Sequence, residues 1–211
     1  MEPILRQYVL GPLENNSFLL ADPLSKEAAI IDPSFDPEVI LEEAKEMGLR
    51  IGFILLTHAH FDHIAGVARL AQASGLPVQV ALHPLDLALY QQGGGAAAFR
   101  FPMEKNPEPD VLLAHGQVLR IGSLVLEVRH TPGHTPGHVI FVCQQAELVF
   151  CGDLIFAGSV GRTDLPGGNH AQLLHSIRQQ VLTLDEMMRL LPGHGEETCV
   201  GAEEATNPYL N

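Results

Sequence analysis

The chain is short of several features that would mark common protein classes, and each shortage closes off a function. No apolar run is long enough to cross a bilayer, and the opening MEPILRQYVLGPLENN carries charge early, with no basic start, apolar stretch or small-residue cleavage site. A cytoplasmic location is expected. Only 12 lysines and arginines stand against 25 aspartates and glutamates, a formal net charge of −13. Nucleic acid and anionic membrane surfaces need a basic face that displaces counterions, so neither is expected as a partner. Cys143, Cys151 and Cys199 are an odd number with no CxxC pair, which argues against a disulfide framework and for buried apolar roles. Low-complexity tails and strong internal repeats are also missing.

The sequence has 211 residues, 46% hydrophobic and 18% charged, a globular balance whose length fits one domain over residues 1–211. Strand-like runs with turn residues between them occupy Ile4 to Leu10, Ser17 to Ala21 and Ala28 to Ile31, the last closing on Asp32-Pro33, and they read as antiparallel. Asp36-Pro37-Glu38 opens a helical pattern that stops at Gly48. Phe53 to Leu56 is continuously apolar and reads as a strand buried on both faces. A helix is expected from Ile64 to Ser74, a strand from Pro77 to Leu82 and a short helix from Pro84 to Tyr90. The glycines and prolines of residues 93–110 predict a long irregular excursion, a candidate lid. Strands then resume at Leu124 to Arg129, Val139 to Cys143 and Leu148 to Cys151, followed by a helix from Ala171 to Leu182 and a strand from Met188 to Leu191. Two strand-rich sets with helices suggest two packed sheets with helices outside.

The chemistry concentrates in Thr57-His58-Ala59-His60-Phe61-Asp62-His63, directly behind the buried strand. In extended backbone, residues two apart point the same way, so His58 and His60 can converge on one ion. Asp62 and His63 follow where the chain turns into a helix and can face a second ion. Further ligands are expected at other strand ends: His134 in TPGH, Asp153 in CGD and His194 in PGHG. Glycine beside each permits the backbone to approach a metal cluster closely.

HxHxDH, a PGHTxGH segment, GD and then PGH, in that order over nearly the whole chain, resemble the ligand series of the metallo-β-lactamase superfamily, and most of all its glyoxalase II-like hydrolases. The resemblance implies an α/β (α+β) fold, a four-layer αββα sandwich with two divalent ions at one edge of the sheets. It implies His58, His60 and His134 on the first ion, Asp62, His63 and His194 on the second, and Asp153 bridging, with zinc, iron or manganese bound. Two divalent ions less Asp62, Asp153 and a shared hydroxide leave roughly one net positive charge, so the site stays electrophilic while holding a nucleophile. Hydrolysis of a 2-hydroxyacyl thioester is the implied reaction, with Asp62 and Asp153 as the catalytic carboxylates and a small-molecule thioester as the partner. Longer members add a helical C-terminal domain after the last ligand, where only Gly195 to Asn211 stand here, so a carrier thiol other than glutathione is open. The GRTD segment also resembles the superfamily's persulfide dioxygenases, which use one iron and dioxygen.

Arg162, in that segment, either grips a substrate carboxylate or pairs with Asp164 to pin the loop. His138 reads as a positioning or structural residue and His130 as a loop strut, while His83, His115, His170 and His175 read as surface or loop residues.

Overall fold

Side chains alternate across the strands, and that alternation sorts the apolar residues into three clusters and the chain into four layers. In a computed structural model describing residues 2–73 and 77–210, six strands form a first sheet in sequential order: β1 (Ile4–Leu10), β2 (Asn15–Ala21), β3 (Glu27–Ile31), β4 (Arg50–Leu55), β5 (Gln79–Leu82) and β6 (Val111–Leu112). A second six-stranded sheet contains β7 (Val118–Ile121), β8 (Leu124–His130), β9 (Val139–Cys143) and β10 (Leu148–Gly152). A separate two-stranded hairpin, β11 (Ile155–Phe156) with β12 (Ser159–Val160), comes next in the chain. The second sheet then closes with β13 (Arg189–Pro192) and β14 (Thr198–Cys199), in the order β14-β13-β10-β9-β8-β7.

Phe18 and Leu20 of β2 face the second sheet, whose Phe141 and Phe150 face them in turn, with Leu55, Leu126, Val128 and Leu191 filling the space between. Phe18 meets Phe150 edge to face at 5.3 Å, and truncating a fully buried phenylalanine such as Phe150 costs about 3–5 kcal/mol. The intervening residues Leu19, Ile30 and Ile54 point outward, where α1 (Glu38–Glu46) covers them with Ile40 and Ala44. A short α2 (Phe61–Ile64) and α3 (Val67–Ala73) complete that layer with Ile64, Val67 and Leu70. After α4 (Leu87–Gln91), α5 (His170–Gln180) and α6 (Val200–Thr206) cover the other sheet, burying Leu173, Ile177 and Val200 against Ile140, Val149 and Leu190. The architecture is therefore a four-layer αββα sandwich.

Several elements differ from the sequence reading. The helix expected from Ile64 is broken into α2 and α3 at Gly66, where a Cβ would collide with the Ser34 carbonyl; its expected end at Ser74 lies outside the described residues. Pro84 to Tyr90 is a 3-10 turn, Pro84–Asp86, followed by α4. Antiparallel pairing holds for β1, β2 and β3, whereas β3, β4, β5 and β6 run parallel. The excursion at 93–110 contains a 3-10 helix, Ala96–Phe99, and is tied down. Asn106 accepts from the Ala68 amide and donates to the Ile64 carbonyl, both at 3.0 Å. No helix among the described residues is long and apolar enough to cross a membrane.

Strand direction places the site. β3 and β4 are parallel, as are β10 and β13, and two antiparallel steps through β9 give β8 the direction of β10. The carboxyl ends of all five gather at one edge of the sandwich, beside the first residue of β2. A Val139 amide to Thr57 carbonyl bond of 2.8 Å and an Asn16 amide to Gly193 carbonyl bond of 2.7 Å lash the two sheets together there.

Candidate metal centre

Seven side chains predicted from the sequence meet at this edge. His58, His60 and His134 bring one nitrogen each within 4.8 Å of one another, and so do the donor atoms of Asp62, His63 and His194. Asp153 lies between the groups: Oδ2 is 3.5 Å from His134 Nε2, while Oδ1 is 3.3 Å from His63 Nε2 and 3.8 Å from His194 Nε2.

Outer hydrogen bonds fix which nitrogen of each ring carries the proton. The Arg162 carbonyl accepts from His134 Nδ1 at 2.7 Å and the Leu13 carbonyl from His194 Nδ1 at 3.0 Å. Asp32 Oδ2 accepts from His63 Nδ1 at 3.0 Å. Because Thr57 Oγ1 donates to Asp32 Oδ2 at 2.6 Å, it can accept from His58 Nδ1 at 3.1 Å. Each of these four rings therefore turns Nε2 inward. His60 faces the same space with Nδ1, 2.8 Å from His134 Nε2.

The donor set fits cations. Nε2 of His58 and Oδ1 of Asp153 are buried without a hydrogen-bond partner among the described residues, a condition that costs free energy until an ion or proton relieves it. Burial, reinforced by the neighbouring histidines, lowers His58 well below the ordinary imidazole range and His60 to about 3, so both are neutral at pH 7 and offer lone pairs. The other group behaves oppositely. Burial alone would lower His63, but Asp153, Asp62 and Asp32 outweigh it and hold its proton well above the ordinary range. His194 is likewise raised despite its burial, through its bond to Asp62. Asp62 and Asp153 stay ionised despite burial, with His63 the main cause in each. Carboxylates that hold a proton here would hold a metal cation for the same Coulombic reason. Nitrogen and carboxylate donors without thiolate suit zinc, iron or manganese, and the two clusters are consistent with a dinuclear site.

Close approach needs the glycines. At Gly193 a Cβ would collide with Asp153 Oδ1, and at Gly152, with φ +47°, it would collide with Thr57 Oγ1.

Three supporting residues escaped the sequence reading. Asp32, read only as a turn residue, takes the Thr57 amide at 2.7 Å in addition to the two bonds above and so fixes both histidine groups. Asp86 accepts from the Ala59 and Gly137 amides and from Thr135 Oγ1, joining the HxHxDH loop to the loop of His134. Asn16 donates to the carbonyls of Pro192 and Gly195, both at 2.9 Å, and clamps the His194 turn. Each is one ordinary residue whose partners lie far along the chain, a signal that no local motif carries. His138 stacks on His58 at 5.2 Å and faces Thr131 Oγ1 through Nδ1, outside both donor groups. His83, read as a surface or loop residue, lies in the connection after β5 but is buried, and it stacks on His130 at 4.2 Å with 9° between the rings. His130 Nε2 donates to the Pro136 carbonyl at 2.9 Å, as a strut would. His115, His170 and His175 are exposed.

A cavity of about 840 Å³ opens over both groups, reached by His60, Asp62, His134, Asp153 and His194 and walled mainly by apolar residues. Arg162 lies on its rim, but its guanidinium makes two bonds to Asp164, at 2.7 and 2.8 Å. The structure thus contains the ion pair and also puts the arginine within reach of a bound molecule.

Residues 10–194 match the family model described as the metallo-beta-lactamase superfamily. The chain is 39% identical to "Probable metallo-hydrolase YqgX" of Bacillus subtilis over 98% of its length and 97% of the relative's. It is 34% identical to "Hydroxyacylglutathione hydrolase GloC" of Haemophilus influenzae, covering 88% of each chain. It is 32% identical to the human mitochondrial "Persulfide dioxygenase ETHE1" over 99% of this chain and 76% of that one. Solved structures similar to it include BLEG-1 B3 metallo-beta-lactamase, with TM-score 0.92, 37% identity and coverage of 99% and 100%. Another is TTHA1623 in a di-iron-bound form, with TM-score 0.88, 42% identity and coverage of 97% and 100%.

Proposed function

The chain belongs to the metallo-beta-lactamase superfamily, and from that premise we propose that it is a dinuclear metal-dependent hydrolase of thioesters, with 2-hydroxyacyl thioesters among its substrates. The observation that carries the reading is Asp153, whose two carboxylate oxygens lie toward different groups of donors, 3.3 Å from His63 and 3.5 Å from His134. When bound, two ions there supply a water that loses its proton near neutral pH and a Lewis acid for the substrate carbonyl. His58, His60 and His134 would hold the first ion, Asp62, His63 and His194 the second, with Asp153 shared. Asp32 keeps His63 in the tautomer that presents Nε2, and the Arg162 main chain does the same for His134. The cavity walls around the donor groups are mainly apolar. No side-chain nucleophile is needed, and two of the three cysteines are unsuited to the role, because Cys143 and Cys151 are buried in apolar clusters that push their thiols up.

The similarity to a named hydroxyacylglutathione hydrolase supports the thioester reading. Similarity to a persulfide dioxygenase favours the second reading, iron-dependent oxidation with dioxygen. The metal-loaded protein is tested anaerobically for thiol release from lactoyl thioesters, and in air for oxygen uptake with a glutathione persulfide, with a β-lactam alongside. Thiol release without oxygen, at a kcat/KM that rises with pH to a plateau, is the expected result. Oxygen uptake or β-lactam opening without thioester cleavage overturns it.

A further inference from the structure

The cavity's chemistry argues about the substrate beyond its reacting bond, and the inference rests on the hydrolase reading. We propose that the larger arm of the substrate is an uncharged apolar chain, a straight acyl group of about six to ten carbons, a size suited to pockets of this class. Three observations lead there. First, the wall beside Asp62 is the 3-10 helix Ala96–Phe99, which turns Ala97, Ala98 and Phe99 to the space; the alanines leave it open, and Phe99 is 47% exposed at its mouth. Secondly, that wall is fixed. The Phe61 amide donates to the Gly94 carbonyl at 3.1 Å, and a Cβ on Gly94 would collide with the Phe61 amide and the Ala59 carbonyl. Thirdly, the walls away from the donor groups offer an anionic carrier little. Arg162 is the one arginine or lysine among the described lining residues and is already doubly bonded to Asp164. A carrier with two carboxylates, as glutathione has, would leave at least one unpaired against an apolar wall, whereas an alkyl chain gains from every methylene buried.

The reaction stays simple hydrolysis: the acyl carbon gains a C–O bond to the oxygen of water, the C–S bond breaks, and sulfur leaves with a proton as the free thiol. The test measures kcat/KM of the metal-loaded protein for the acetyl, butyryl, hexanoyl and octanoyl thioesters of N-acetylcysteamine, beside lactoylglutathione. Each added methylene should raise kcat/KM about fourfold until the cavity is filled, and octanoyl should exceed lactoylglutathione. Ala98→Arg, at an exposed position, should collapse the length dependence. Calorimetry with the methyl and octyl thioethers of N-acetylcysteamine, which cannot be hydrolysed, gives a second readout, with the octyl compound expected to bind at least ~10-fold tighter. A flat chain-length series or a preference for lactoylglutathione overturns the proposal. Tight octyl binding with no thioester cleaved overturns the hydrolase reading and keeps the apolar arm; equal binding of the two thioethers overturns the apolar arm whatever the reaction.

Discussion

The two donor groups sit side by side yet are built on opposite electrostatic plans. In the group of His58, His60 and His134, burial keeps His58 and His60 neutral, and the outer partners are a hydroxyl behind His58 and a main-chain carbonyl behind His134. His63 and His194 stand among Asp62, Asp153 and Asp32, which hold their protons above the ordinary range despite burial. His58 and His60 offer bare lone pairs at neutral pH, whereas His63 and His194 must give up protons to take an ion, and so depend on the carboxylates around them. Neighbouring positions in one cavity can thus differ in affinity and in response to substitution.

The widest separation is expected at the residue both groups share. Asp153→Ala should leave less than one ion per chain by elemental analysis and lower kcat/KM at least ~10-fold further than His63→Ala, each decade being about 1.4 kcal/mol of barrier. A smaller loss at Asp153 would remove it from the bridging position. Next is Asp32→Asn, which keeps the shape but removes the charge behind His63. It should weaken the ion on His63 about 10- to 100-fold, the usual cost of an altered ligand partner, and the other ion less, because Asp32 reaches His58 only through Thr57. Equal weakening of both, measured by competition with a chelator, would erase the contrast. Arg162→Ala is a milder probe because the carbonyl that positions His134 survives it. Metal content should be unchanged, and KM should rise severalfold for thioesters bearing a carboxylate but not for uncharged ones, since binding energy common to ground and transition states is lost. An unchanged KM with a lower Tm would assign the side chain to its ion pair alone.

The smallest effect is expected at His83, which stacks on His130. Burial and the stacked His130 lower its pKa from 6.5 to about 4. Between those values the unfolded chain takes up a proton that the folded one refuses, so this contribution is intact above pH 6.5 and lost as the pH falls toward 4. His83→Phe, which keeps the stack without the titration, should make Tm fall less steeply across that window. An identical slope in the variant would show that His83 is not among the groups responsible.

Much of the architecture was legible because the strands that matter are buried on both faces and read as apolar runs, and because four potential ligands crowd into residues 58–63. What escaped has physical reasons. β6, β11, β12 and β14 are two residues long, too short for any period to show. The parallel pairing of β3 with β4 is a long-range choice that no local pattern encodes. Asp32 reaches 31 residues to His63, and Asp86 reaches 49 to Thr135. Their roles exist only once the strand ends have been gathered. Gly66 was visible as a residue, but its use as a helix breaker depends on Ser34, which the fold brings against it.

The aromatic contact at the cavity mouth offers an optical consequence. The chain contains no tryptophan and only three tyrosines, so it is nearly dark to excitation at the red edge of protein absorbance. Phe99 sits 5.4 Å from Phe61, whose chain neighbour is Asp62. An indole introduced there by Phe99→Trp would be the molecule's sole emitter under such light, placed where arriving ligand must displace water from its ring. The colour and intensity of that single lamp would report occupancy of the mouth in real time, independently of any chemistry beneath it.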